Sequence, residues 1–321
     1  MQSSLMLFLL LCLAGFAHAQ VLPAQFERDR IFVTATAPDR SVLRFYTDTG
    51  GGWNAIGQSA AERLRLRPAG QIDVDGGKRP LVDFPSVLAK AGVPAPMKEP
   101  WLRGRLVVAP DGALFGADGS LGSRWFAGSV WQIDYPRQTF SMLRNWNATL
   151  ADHPVALGFR SGDDGKRVMH FPRITVTIAG RPTDLLLDTG ATAKLTASSA
   201  AAFQAVPGTL VATSYIIKST FDAWRAAHPS WKVLDAADAI TGRSVPMIEV
   251  PEVSIGDLAV GPVWFTQRPD AAFREWMAQM MDKPIDGAIG GSGLKYLRVV
   301  LDYPGAIAYF SVAQNPPAPT K

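Results

Sequence analysis

The chain carries one set of short motifs twice, in the same order. Leu185-Leu186-Leu187-Asp188-Thr189-Gly190 is an apolar run that ends in an aspartate, a threonine and a glycine. Phe45-Tyr46-Thr47-Asp48-Thr49-Gly50 is a related stretch in the first half of the chain. Asp118-Gly119-Ser120-Leu121-Gly122 and Gln132-Ile133-Asp134-Tyr135-Pro136 follow the first. Asp286-Gly287-Ala288-Ile289-Gly290 and Val300-Leu301-Asp302-Tyr303-Pro304 follow the second. Asp118 and Asp134 are 16 residues apart, and so are Asp286 and Asp302. The later motifs stand further apart than the two Asp-Thr-Gly triplets do, so the second repeat holds 28 more residues in its middle. A duplication of this kind dictates a duplicated architecture. A carboxylate at the end of a buried strand costs free energy unless it is hydrogen-bonded or paired. Two such sites in one chain point to each aspartate as the other's partner.

The local pattern around these motifs is that of strands. Ile31 to Thr36 and Val42 to Tyr46 suit strands joined by a turn at Pro38-Asp39-Arg40. Ile174 to Ile178 alternates with period two, Gly180-Arg181-Pro182 turns, and Asp184 to Leu187 runs into the second aspartate. Ser59 to Leu64 reads as a helix after the first motif, and Ser198 to Phe203 takes that place after the second. Each repeat then offers a hairpin, around Asp75-Gly76 in Gln71 to Gly77 and around Ala239 to Val245. The added length of the second repeat is expected in two helical stretches. Ser219 to His228 opens with a capping-box pattern of Ser219 and Asp222, and Ala271 to Asp282 sets Phe273, Trp276, Met277, Met280 and Met281 at helical spacing. That stripe reads as core.

The paired motifs resemble the Asp-Thr-Gly signature of the aspartic proteases, in the pattern of the retropepsin and pepsin families. The resemblance covers nearly the whole chain after its first residues. It implies a mainly β, two-lobed pepsin/retropepsin-like acid protease fold with a few short helices, of the bacterial single-chain kind with duplicated lobes. It implies a catalytic pair, Asp48 and Asp188, supported by Thr49, Gly50, Thr189 and Gly190. In such enzymes the threonine hydroxyls reach across to backbone of the other lobe, and the glycines let amides approach the carboxylates. Gly122 and Gly290 match the glycine that packs behind each motif loop, where only a residue without Cβ lets two loops cross. Family members close a hairpin over the substrate as a flap. Neither hairpin tip here has the tyrosine of pepsin flaps, so both remain candidates.

The position after each Asp-Thr-Gly departs from pepsins, which place Ser or Thr there. Here the residues are Gly51 and Ala191, and Gly51-Gly52-Trp53 matches neither family. Losing a hydroxyl donor to the ionised form raises a carboxylate pKa. The expected activity optimum is therefore less acidic than that of stomach-type pepsins. Asp118 and Asp286 read as structural, bonding nearby backbone, and Asp134 and Asp302 as strand-end turn residues.

At 321 residues, 47% hydrophobic and 19% charged, the chain can bury two ordinary cores. The formal net charge of +4, without a dense basic run, gives no reason to expect a nucleic-acid partner. Leu5 to Ala17 is apolar and is followed by Ala17-His18-Ala19, which reads as a signal peptide cut after Ala19 and a periplasmic or secreted destination. The only cysteine, Cys12, lies in that segment, so the rest has no thiol nucleophile, disulfide or thiolate metal site. His153, His170 and His228 share no ligand spacing, so no metal and no cofactor is expected. The division expected is a signal peptide at 1–19, lobes at 20–155 and 156–313, and a disordered tail at 314–321. The first strand is expected to begin at Ile31, soon after Gln20, so no pro-segment and no autoactivation step are expected.

The function expected is that of an aspartic endopeptidase, a monomer acting on a peptide or protein substrate. An alternative keeps the fold and drops the chemistry: a non-catalytic peptide-binding protein in which Gly51-Gly52-Trp53 has spoiled one loop. A third arrangement is a homodimer that pairs only the second motif with its copy.

Overall fold

The computed structural model describes residues 18–74, 76–99 and 102–312, so the expected signal segment and C-terminal tail lie almost wholly outside it. The chain is mainly β, with a few short helices. Among the described residues no helix is long and apolar enough to cross a membrane.

Each Asp-Thr-Gly motif ends a strand at the middle of a large sheet. Val42–Asp48 lies in an eight-stranded sheet drawn from the first repeat, and Arg181–Leu187 in a nine-stranded sheet drawn from the second. The motif strand pairs in parallel with the Asp-Gly strand in both: Asp48 opposite Gly122, and Leu187 opposite Ile289. A short strand then pairs antiparallel with the Asp-Gly strand, through Ala55 and Ser120 in the first sheet and Tyr215 and Ala288 in the second. The duplication extends to single hydrogen bonds. The Asp118 amide donates to Arg44 O and the Asp286 amide to Asp184 O; the Gly57 amide donates to Asp118 O and the Ile217 amide to Asp286 O.

These pairs locate the extra residues. The offset between repeats is 140 at Asp48 and Asp188, 160 at Ala55 and Tyr215, and 168 at Asp118 and Asp286. Twenty of the 28 additional residues therefore fall between Asp188 and Tyr215, not in the two helical stretches expected. They build a hairpin, Thr192–Lys194 with Leu210–Ala212, and the helical turns Ala197–Phe203. The helix Lys218–Ala227 follows its short strand as Gln58–Arg63 follows Ala55–Gly57, so it is the true counterpart of the first-repeat helix. The expected capping box does not form, because Asp222 pairs with Lys218 and the Ser219 amide donates to Asp270 instead.

The Met and aromatic stripe is a run of short π and 3-10 turns, Ala272–Met280, not an α-helix. Phe273 and Met281 are buried and Met277 and Met280 partly so, but Trp276 is 73% exposed.

A six-stranded sheet joins the two repeats. Val130–Asp134 pairs antiparallel with Leu297–Asp302, so that Val130 faces Asp302, Gln132 faces Val300 and Asp134 faces Arg298. At the offset of 168 this register maps onto itself, and a local two-fold axis passes through Gln132 and Val300. Asp134 and Asp302 end their strands alike, accepting from the amides of Arg137 and Gly305. His18–Val21 adds an edge strand against Ser141–Arg144, so the expected cleavage after Ala19 falls within a paired strand; with Ala24–Glu27 it precedes Arg30–Thr36, which is therefore not the first strand as expected. One apolar cluster runs through the three large sheets, from Phe45 and Leu121 through Trp131 and Val299 to Leu185 and Ile289. Burial of that surface drives the folding of the pair together.

The motif loops cross their neighbours at glycine. A Cβ on Gly122 would sit 2.6 Å from the carbonyl oxygens of Gly51 and Trp53, and one on Gly290 would run into Thr213 O. Backbone cannot give way as a flexible side chain can. Gly122→Ala and Gly290→Ala are each expected to lower stability by about 1–3 kcal/mol, measured as a shift of the urea midpoint.

Candidate active site

The two Asp-Thr-Gly loops meet. Asp48 and Asp188 lie within hydrogen-bond reach of each other, although they come from opposite repeats of the sequence. Each carboxylate also rests on the glycine of the opposite loop. A Cβ on Gly50 would lie 2.5 Å from Asp188 Cγ, and one on Gly190 would collide with Asp48. The Gly190 amide donates to Asp188 Oδ1 at 2.8 Å, and the nearby amides of Gly50 and Gly51 favour the ionised form of Asp48.

The threonines make a reciprocal lock. Thr49 Oγ1 donates to Leu187 O at 2.7 Å and accepts from the Thr189 amide at 2.9 Å. Thr189 Oγ1 donates to Thr47 O at 3.2 Å and accepts from the Thr49 amide at 3.1 Å. Both side chains are fully buried, so these bonds are shielded from competing water.

Burial pushes both carboxyls above the usual range, and the Asp48 charge pushes Asp188 further up. Donation between the carboxyls and from the loop amides opposes this at Asp48. Two carboxylates this close do not both ionise readily, so the pair keeps one proton well above ordinary carboxyl pH values. Asp188 is only 7% exposed, while Asp48 is half-buried and lines an open cleft of about 300 Å³.

Gly51 has a steric reason. A Cβ there would lie 2.7 Å from Asp48 Oδ2. The glycine brings its amide onto the carboxylate, and its loop keeps the same turn as its counterpart: Gly51 N to Asp48 O, and Ala191 N to Asp188 O. Ser123 N donates to Gly51 O, and Asn54 Oδ1 accepts from Gly122 N at 2.8 Å, so the loop is held from behind.

The hairpin Pro68–Val74 with Gly77–Val82 projects beside Asp48. Its second strand pairs with the sheet only at Leu81 and Val82, and beyond them the arm is two-stranded. Asp75, half of its expected turn, lies outside the described residues. The second hairpin, Val233–Asp238 with Val245–Val250, is paired along most of its second strand to Val263–Arg268 and contributes nothing to the lining of this cleft.

Sequence reasoning missed the tyrosines. Tyr46 lies two residues before Asp48, hence on the same strand face, and its hydroxyl reaches Gly190 O at 2.5 Å and Thr192 Oγ1 at 2.6 Å. Tyr215 donates to Thr192 O and accepts from the Thr192 amide, both at 2.7 Å. Burial pushes its hydroxyl up to about 12, so it stays a donor. Arg268 stacks over the Tyr215 ring at 4.1 Å and pairs with the fully buried Asp238. Nothing short of the fold could have found Arg268, which no motif or spacing ties to Asp188.

Asp118 accepts from the Arg44 amide and pairs with Arg63. Asp286 pairs with Arg274 rather than with nearby backbone. Among the described residues no three His, Cys, Asp or Glu side chains are grouped to hold a metal. His153 pairs with Asp257, His170 contacts Glu99, and His228 stacks on Trp231.

Comparison with known proteins adds no relative: no protein-family model matches the chain, and no curated protein matches it either.

Two outcomes are expected of the lock and the pair. Thr49→Ala leaves Leu187 O and the Thr189 amide unpaired and costs about 2–4 kcal/mol, one to two buried polar groups' worth; Thr49→Ser restores most of it, read by chemical denaturation. An acid whose folded pKa is raised destabilises the fold as pH climbs from the unfolded value of 3.8 through the folded one. Asp188→Asn is therefore expected to melt higher than the parent at neutral pH, with the gap closing below about pH 3.8. A gap that widens on acidification would contradict the raised pKa.

Proposed function

We propose that the chain is an aspartic endopeptidase that hydrolyses peptide bonds with water. The observation that carries this reading is the meeting of two carboxylates, one from each repeat, each resting on the glycine of the opposite loop. That arrangement suits proton traffic rather than structure alone, since it confines like charges at a cleft wall. In the mechanism the pair shares one proton. The ionised oxygen takes a proton from a water held between the carboxyls, and the protonated one donates to the peptide carbonyl oxygen. Water attacks that carbon, and no covalent enzyme intermediate forms. As the C–N bond breaks, the pair gives its proton to the leaving amine nitrogen and takes one from a hydroxyl of the diol, so it again holds a single proton. Because the pair titrates as a unit, neither aspartate has a fixed identity as acid or base.

The reading includes two pepsin/retropepsin-like lobes, at 20–155 and 156–313, with the hairpin at 68–82 as flap. It includes a monomer that acts on extended peptides held by main-chain hydrogen bonds. It also includes export behind a leader cut after Ala19. What supports the lobes is the repeated strand order; what supports the flap is the two-stranded arm beside Asp48.

Asp48→Asn and Asp188→Asn are each expected to lower kcat/KM for an unstructured protein such as casein by about 10³-fold or more while folding is retained. The parent's pH profile should be bell-shaped and less acidic than that of stomach-type pepsins, following the raised pKa of the pair. Peptide binding without turnover at any pH would return the chain to a binding module, and unimpaired cleavage by both variants would remove the pair from the chemistry.

A further inference from the structure

The first-repeat hairpin has a charge where its pattern calls for an apolar residue. Arg79 pairs with Ile72, and Val74 with Gly77, so Arg79 shares a strand face with Ile72, Val74 and Leu81. Those three pack into an apolar cluster with Trp53 and Val107 beside the first motif loop. Arg79 thus lies on the inward face of the arm, half-buried, and lines the same cleft as Asp48. It also lines a second cavity of about 310 Å³ that shares Val108, Ala109 and Pro110 with the first. Among the described residues its guanidinium has no hydrogen bond, ion pair or ring partner. The one acid in the second cavity, Glu62, is instead bonded to Gln58. Asp48 and Arg79 are the only charged groups among the described residues lining the cleft.

A half-buried cation without a partner is costly, and an anion entering from solvent relieves that cost. A guanidinium prefers a carboxylate, which it can grip by two parallel bonds. The rest of the wall is mostly apolar, so an arriving carboxylate has no competing donor from a charged side chain. Resting on the endopeptidase reading for its setting, we infer that Arg79 selects peptides with an aspartate or glutamate side chain beside the bond presented to Asp48 and Asp188. The raised pKa of the pair fits this choice, because the enzyme then works where such a side chain is ionised.

The test uses the full chain and two readouts. Casein is digested with the parent, Arg79→Ala and Arg79→Glu, and cleavage sites are mapped by mass spectrometry. Binding of fluorescein-labelled octapeptide pools with a fixed central Glu, Gln or Lys is measured in parallel by anisotropy. The parent is expected to enrich Asp and Glu around the cut bonds, and to bind the Glu pool about tenfold more tightly than the Gln pool, as for a hydrogen bond to a charged group. Arg79→Ala should erase that preference and Arg79→Glu should turn it toward Lys. Equal binding of the Glu and Gln pools by the parent, or a preference untouched by Arg79→Glu, overturns the inference. If the Glu preference and its reversal appear in binding while nothing is cut, Arg79 keeps its role and the hydrolase reading fails.

Discussion

Two buried threonine hydroxyls fix the distance between the halves of this site. Each side chain takes an amide from the other's loop and gives its own proton to a carbonyl beyond it. The four bonds close a ring that spans both repeats, and the ring sits directly beneath the carboxyls. Buried hydrogen bonds of this kind are costly to break because no water replaces the lost partner. The consequence is that the carboxyls cannot relax apart to relieve their repulsion. They settle instead by keeping a proton. The loop amides then trim how strongly that proton is held.

Around this ring the fold is organised to make the loops rigid. Each motif lies at the end of a central strand, flanked on both sides by paired strands and crossed from behind by a glycine. The tyrosines add a further tie on one side only. Tyr46 crosses from the first repeat to Gly190, and Tyr215, steadied by Arg268, holds Thr192. The Asp188 loop is therefore the more enclosed of the two, while the Asp48 loop opens onto the cleft under the arm.

Much of this was legible from the residues because a repeat is long-range information written locally. Matching Asp48 with Asp188 and Asp118 with Asp286 gave the duplication, and with it two strands that each end on an aspartate, without any knowledge of contacts. The strand expected over Ile174 to Ile178 is observed as Arg173–Ile178, since alternation leaves little choice of face. What escaped detection depended on partners distant in sequence. The second-repeat helix was matched to the wrong segment because the insertion lies before Tyr215, and only pairing with Ala288 reveals that. The capping box at Ser219 was lost to Asp270, 51 residues away. The helix expected over 271–282 failed because its residues answer to the cluster around Phe171 and Tyr215 rather than to their own propensity.

The self-matching register between Val130–Asp134 and Leu297–Asp302 has a consequence for the origin of the chain. It is the edge-to-edge contact that two identical copies of one repeat would form about a crystallographic-style dyad, an isologous interface in which each copy gives what it receives. Two separate copies of one repeat would meet through these strands in the same register. Covalent fusion then lifts the requirement that both copies stay alike. Glycine after one triplet and alanine after the other, and an arginine under one arm alone, are differences that a symmetric pair of subunits could never have kept.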